Sequence, residues 1–162
     1  MGDKMMGIEN LIIKSATSED IEGICIFEKQ ARITEPDVLG WELDEVSYKE
    51  KLHSAKLEEL KNTKIIIAKQ DDIVIGRCDI SIMLSLVDFE KMGYVEWIYT
   101  LIDYRGKGIG KKLLNGAENY FKSEGVSKFF LFTASNEQAQ EFYHGNNDLT
   151  FSNKEVAEKE IS

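Results

Sequence analysis

Apolar positions along the chain recur with two spacings. Near-continuous or alternating apolar runs at residues 11–15, 64–69, 73 to about 86, 94–102 and 128–133 predict β-strands. The Ile65, Ile66, Ile67 run reads as a buried strand, and the Asp71-Asp72 pair as the turn that makes a hairpin with the strand after it. Helical spacing appears elsewhere. Thr17, Ser18, Glu19 and Asp20 supply capping chemistry for a helix over 19–32 that buries Ile21, Ile24, Cys25 and Phe27. Pro36 and Gly40 break the pattern, and a charged helix over 43–61 follows with apolar positions at Val46, Leu52, Leu57 and Leu60. Ile109, Leu113, Leu114, Ala117, Tyr120 and Phe121 give a strongly one-sided helix that ends at Gly125. Ser135 and Gln138 fit a capping box for a short helix whose inner face is Ala139, Phe142 and Tyr143, closed by Gly145-Asn146-Asn147. Residues 149–162 carry a weaker pattern, read as two short strands. This order of elements predicts a mixed α/β sheet with helices on both faces.

Composition narrows the class. With 162 residues, 43% hydrophobic, 30% charged and a single proline, the chain fits one soluble globular domain, expected over residues 8–162, after a tail or expression remnant at 1–7. No apolar run reaches membrane-spanning length, and the first residues lack a basic region followed by an apolar stretch, so a cytoplasmic protein is expected. Cys25 and Cys78 stand far apart, with only His53 and His144 as other soft ligands, so no metal is expected and both cysteines read as buried thiols. A net charge of −9 argues against nucleic acid as a partner. Acidity peaks over 33–48, where Glu35, Asp37, Glu42, Asp44 and Glu45 stand without a basic residue. Such a segment favours a cationic guest if it borders a site, and is otherwise a solvated loop.

The basic exception is DYRGKGIGKKLL, residues 103–114. A strand that stops at a glycine-rich turn and runs into a helix gathers backbone N–H groups at the positive end of the helix dipole, where an anion belongs. Spacing excludes two nucleotide-binding patterns. A phosphate-binding P-loop needs a glycine five residues before Gly110-Lys111 and a Ser or Thr after it, but Arg105 and Lys112 stand there. A dinucleotide fingerprint needs G-x-G-x-x-G, whereas Gly106, Gly108 and Gly110 give G-x-G-x-G. What fits is R-x-x-G-x-G as Arg105, Gly108 and Gly110. Here the sequence resembles the GNAT superfamily of acyl-CoA-dependent N-acetyltransferases, whose pyrophosphate loop has this form between a strand and a helix. The family's second signature, an asparagine before a short helix ending in Phe-Tyr, appears as Asn136, Ala139, Phe142 and Tyr143.

The resemblance implies a mostly antiparallel central sheet and acetyl-CoA as co-substrate. The pyrophosphate would lie on the backbone of Arg105, Gly106, Lys107, Gly108, Ile109 and Gly110, with Lys111 within reach of a phosphate. The pantetheine arm would pair like an added strand with the backbone around Thr100, Leu101 and Ile102, and Asn136 would bond its amide, the alternative being that its side chain caps the helix. Tyr143 stands where the family carries its general acid, unless it is a core aromatic beside Phe142, and direct attack by the acceptor leaves no role for either cysteine or histidine. Alternation along residues 94–102 puts Glu96 on the face of Ile98 and Thr100, where a carboxylate with a raised pKa could take the proton of an ammonium acceptor; the alternative is a surface glutamate. In the family the segment between the first two helices often shapes the acceptor pocket. Trp41 and Glu42 there suit a cationic primary amine through charge and cation–π contact, unless Trp41 simply anchors the loop in the core. A protein or peptide N-acetyltransferase, and a non-catalytic acyl-CoA-binding module, are the alternatives. After Tyr143 the chain departs from the family: Gly145 comes early and no Gly-Phe follows. That leaves open the C-terminal strands, which commonly complete the acceptor pocket or a homodimer contact.

Overall fold

The computed structural model describes residues 8–162, so the expected tail at 1–7 lies outside the described residues. The chain divides into two compact units, one ending at Phe132 and the other Thr133–Ser162. The first holds β1 (Leu11–Ser15), a 3₁₀ turn (Ser18–Asp20), α1 (Ile21–Thr34), α2 (Glu45–Ala55), β2 (Thr63–Gln70), β3 (Ile73–Leu84), β4 (Lys91–Thr100), a second 3₁₀ turn (Ile102–Tyr104), α3 (Ile109–Ser123) and β5 (Lys128–Leu131). The strands lie in the order β1-β2-β3-β4-β5. The first four pair antiparallel, and β5, delivered by the α3 crossover, pairs parallel to β4. This is the mixed sheet that the order of elements predicts, and it is mostly antiparallel, as the resemblance implies.

Both faces of the sheet are covered because its strands carry apolar side chains on both sides. Ile24, Phe27 and Ala31 of α1 and Leu52 of α2 pack with Ile67, Val74 and Tyr99. Ile109, Leu113, Ala117 and Phe121 of α3 pack with Ala68, Cys78, Ile80 and Val95. Cys25 and Cys78 are buried free thiols, and burial raises the pKa of both.

A bulge interrupts β4. Ile80 pairs with Val95 and Asp79 with Trp97, so Glu96 is the extra residue. Val95 and Ile98 both pack toward α3, whereas Trp97 and Tyr99 pack toward α1. Strict alternation therefore does not run through Glu96. β5 pairs with β4 only over Met92–Val95, so beyond the bulge β4 has no strand on its outer edge among the described residues.

Strand and helix ends shift by up to three residues, as where β4 starts at Lys91 and not Tyr94, and three further expectations are corrected. The helix expected over 43–61 stops at Ala55, because Lys56 turns to positive φ (51°); Leu57 is then buried from a turn. The cap of the last helix is Asn136, not Ser135. Residues 149–162 contain no strand. The second unit is thus α4 (Glu137–His144) with irregular chain around it.

Asp20 closes the first turn of the α1 region and is 3% exposed. Its carboxylate accepts from the Thr17 N–H at 2.9 Å and pairs with Lys14 at 2.8 Å and Lys69 at 2.9 Å. Burial acts to raise its pKa, but these three partners outweigh it and hold it at about 2, against 3.8 unperturbed. A depressed carboxylate stabilises fully above its unfolded pKa, and that stability drains away as pH falls through the folded value. Asp20→Asn is expected to cost about 2 kcal/mol at neutral pH. Urea melts of the variant should also show a flatter loss of stability than the parent between about pH 4 and pH 2.

Candidate active site

The strand-to-helix turn after β4 is shaped by its own hydrogen bonds. The Leu101 N–H donates to the Ile75 carbonyl at 3.0 Å, so Leu101 faces β3. By alternation, Ile98 and Thr100 direct their N–H and C=O groups to the opposite, open edge. Leu101 takes the Tyr104 N–H at 2.9 Å, and Ile102 takes the Arg105 N–H at 3.3 Å, closing the 3₁₀ turn. Gly106 and Gly108 then sit at φ 74° and 78°, a region that L side chains rarely adopt. α3 starts at Ile109 with Gly108 as its N-cap, so no side chain caps the first-turn N–H groups of Ile109, Gly110 and Lys111. A Cβ built at Gly106 or Gly108 would meet no protein atom within 4 Å. The result is an open cluster of backbone donors at the positive end of a 15-residue helix, flanked by exposed Lys107, Lys111 and Lys112.

Arg105 itself points away from that cluster. Its Nε donates to the Thr100 carbonyl at 3.0 Å, its guanidinium lies 5.1 Å from the centre of the Tyr99 ring, and Nη2 pairs with Glu35 at the end of α1. The Tyr99 hydroxyl donates to the same Glu35 oxygen at 2.6 Å. Burial would raise the Glu35 pKa, but the bonds from Arg105 and Tyr99 lower it overall. Burial and the Glu35 carboxylate push Tyr99 up to about 12.

Part of the acidic segment is engaged by other groups of the chain. Besides Glu35, Asp44 caps α2 by accepting the Ser47 N–H at 3.1 Å, and Glu45 pairs with Lys29 at 3.1 Å. Asp37 and Glu42 remain exposed and unpaired among the described residues. Trp41 is 56% exposed and does not anchor the core. The Arg32 guanidinium lies 4.9 Å from its ring centre, so one indole face already holds a cation of this chain. Glu96 is exposed at the bulge.

One polar cluster escapes sequence reasoning. Arg77, 7% exposed, bonds both Asp79 oxygens at 2.7 and 2.8 Å, Glu28 at 2.8 Å and the Tyr48 hydroxyl. Arg32 bonds the other Glu28 oxygen at 2.6 Å. Burial opposes the Arg77 charge, but Asp79, Tyr48 and Glu28 more than offset it. Its guanidinium lies 5.9 Å from the Tyr48 ring centre and 5.7 Å from that of Trp97, which is stacked on Tyr99 at 5.6 Å. The available signal was the pair of charged residues Arg77 and Asp79 inside the apolar run 73–80, where charges need buried partners.

In the second unit, the Asn136 side chain accepts the Ala139 N–H at 2.8 Å as the cap of α4. Tyr143 is buried, with its ring edge-on to Phe142 at 5.2 Å. Among the described residues no helix is long and apolar enough to cross a membrane, and no cluster of His, Cys, Asp or Glu could hold a metal ion.

A family model described as acetyltransferase (GNAT) family matches residues 30–146. No curated protein matches the chain in sequence. Among solved structures, it is similar to an aminoglycoside acetyltransferase from an uncultured soil metagenomic sample in complex with sisomicin, at 14% identity and TM-score 0.72 over 94% of this chain and 96% of that one. It is also similar to a ribosomal-protein-alanine N-acetyltransferase from Brucella melitensis biovar Abortus 2308, at 17% identity and TM-score 0.67 over 92% and 99%. A third similar structure is AAC(6')-Iy in complex with the bisubstrate analogue CoA-S-monomethyl-acetylneamine, at 17% identity and TM-score 0.70 over 94% and 99%.

Proposed function

This chain belongs to the acetyltransferase (GNAT) family, and from that premise we propose that it moves an acetyl group from acetyl-CoA to a primary amine on a cationic small molecule in the cytoplasm. The observation that carries the reading is the open donor cluster at Gly106 to Lys111, whose positive-φ glycines and uncapped helix start fit a pyrophosphate. The N–H groups of Gly106, Lys107, Gly108, Ile109, Gly110 and Lys111 hold that anion. The outward edge of Ile98 and Thr100, with the Ile102 amide beyond it, receives the pantetheine arm. Leu101, whose N–H goes to Ile75, and the Arg105 side chain, bound to Thr100 and Glu35, serve the turn itself. With its Oδ1 engaged in the cap, Asn136 has its Nδ2 to offer the arm.

Acetyl-CoA supplies a thioester carbonyl open to attack by an amine. A backbone donor aimed at the oxygen where charge develops contributes about 3 kcal/mol to lowering the barrier. An acceptor with a lysine-like pKa costs roughly 5 kcal/mol to deprotonate at pH 7. Glu96, exposed where the β4 ladder opens, takes that proton directly or through one water. Glu96→Gln is expected to slow transfer and shift its pH profile; an unmoved profile removes Glu96 from the reaction. Tyr143 gives a proton to the sulfur as the C–S bond breaks; transfer from a phenol of pKa about 10 to a thiolate of about 8.5 costs roughly 2 kcal/mol, which collapse of the tetrahedral adduct offsets, and the phenolate regains its proton from solvent.

Asp37 and Glu42, exposed beside Trp41, supply the attraction for a cationic acceptor. The sisomicin complex of a similar structure supports an amine-bearing small molecule, whereas the similarity to a ribosomal-protein-alanine N-acetyltransferase favours a protein N-terminus as the second reading. Acetyl-CoA-dependent thiol release against polyamines, aminoglycosides, amino acids and short peptides separates them. Turnover on free cationic amines is expected. Turnover on peptides alone moves the acceptor to proteins, and coenzyme A binding without any thiol release leaves an acyl-CoA-binding module.

A further inference from the structure

The two glycines that open the donor cluster also deprive it of local stiffness. With Gly106 and Gly108 both at positive φ, the backbone of this turn gains little restraint from its own side chains. Its restraint comes from elsewhere. Arg105 spans the turn, with Nε on the carbonyl of Thr100, the last residue of β4, and Nη2 on Glu35. Glu35 lies 70 positions away in sequence, directly after α1, where its own N–H is fixed to the Ala31 carbonyl at 3.0 Å. The side chains of Arg105 and Glu35 are only 20% and 15% exposed, so water weakens this pair less than it does a surface pair. Tyr99 locks the same carboxylate oxygen from β4.

Resting on the acyl-CoA reading, we infer that Glu35 is a positioning residue for the coenzyme A loop, acting through Arg105. The carboxylate holds the guanidinium in the one orientation that also fixes the Thr100 carbonyl, and so sets both the open edge of β4 and the path of the backbone into Gly106. A loop held this way before binding loses less freedom when the ligand arrives. Because Glu35 also begins the α1–α2 segment that carries Asp37, Trp41 and Glu42, one side chain joins the acceptor side of the proposed site to its cofactor side.

Calorimetric titration of coenzyme A into the full chain tests this. Glu35→Gln keeps a hydrogen-bonding side chain without the charge and is expected to weaken binding about five- to tenfold. In an Arg105→Ala background the same substitution should change nothing further, because Glu35 acts only through that guanidinium; a merely structural role would add its effect in both backgrounds. If Glu35→Gln fails to fold, Glu35→Asp, which keeps the charge but withdraws it by one methylene, is expected to show the same loss. Wild-type affinity in a folded Glu35 variant, or an undiminished effect in the Arg105→Ala background, overturns the inference. Absence of coenzyme A binding by the wild-type chain instead overturns the acyl-CoA reading on which it rests.

Discussion

Replacing Tyr143 by phenylalanine is expected to lower the rate of acetyl transfer by about 10²- to 10⁴-fold, the range contributed by a positioned general acid. The ring stays, and with it the edge-on contact to Phe142 inside α4. Only the hydroxyl leaves, at a cost to stability of about 1 kcal/mol for its hydrogen bonding. The loss should therefore appear in kcat while coenzyme A affinity stays at the parent's value and the melting temperature falls by only about 2–4 °C. Thiol release at saturating acetyl-CoA, measured beside calorimetry, separates the two. A parent-like kcat would give the thiolate its proton from another source, such as solvent.

The second large effect is expected at Gly108. A non-glycine residue at φ 78° costs about 1–2 kcal/mol of backbone strain. The protein does not oppose the new methyl group, since a Cβ there meets no atom within 4 Å. Gly108 is the N-cap of α3, so the new methyl group stands next to the first N–H groups of that helix, where the pyrophosphate is proposed to lie. Gly108→Ala should thus lose a modest amount of stability and at least tenfold in coenzyme A affinity. The chain supplies its own control. Gly125, past the other end of α3, sits at φ 77° with equally open space around its Cβ position. Gly125→Ala carries the same strain without touching the donor cluster.

The sequence made much of this legible where local chemistry decides. β1 begins and ends at the expected residues because its apolar run is short and bounded by polar positions. α3 follows its periodicity from Ile109 to Ser123, since one face of it had to be buried against the sheet. The glycine turn was visible because glycine takes those backbone angles without strain and because the basic residues interrupt an acidic chain.

What stayed hidden depends on partners distant in sequence. The bulge at Glu96 is a property of two strands together, so alternation along one of them could not show it. The fate of Arg105 depends on Glu35, and that of Arg77 on Glu28, Tyr48 and Asp79; only folding brings these groups together. Trp41 illustrates the reverse case. An indole in an acidic stretch suggested either a bound cation or a core anchor, and the structure gives it a cation from its own chain, Arg32. The end of α2 at Lys56 was masked by Leu57, whose helical spacing is satisfied by burial from a turn.

The most direct test of the proposed coenzyme A loop is a single calorimetric series: coenzyme A titrated into the wild-type chain, Gly108→Ala and Gly125→Ala. Expected is saturable binding by the wild type, the same affinity in Gly125→Ala, and at least a tenfold loss in Gly108→Ala alone. Equal affinity in all three, or equal losses in both variants, would contradict the assignment of the donor cluster at Gly106 to Lys111 as the site that holds the pyrophosphate.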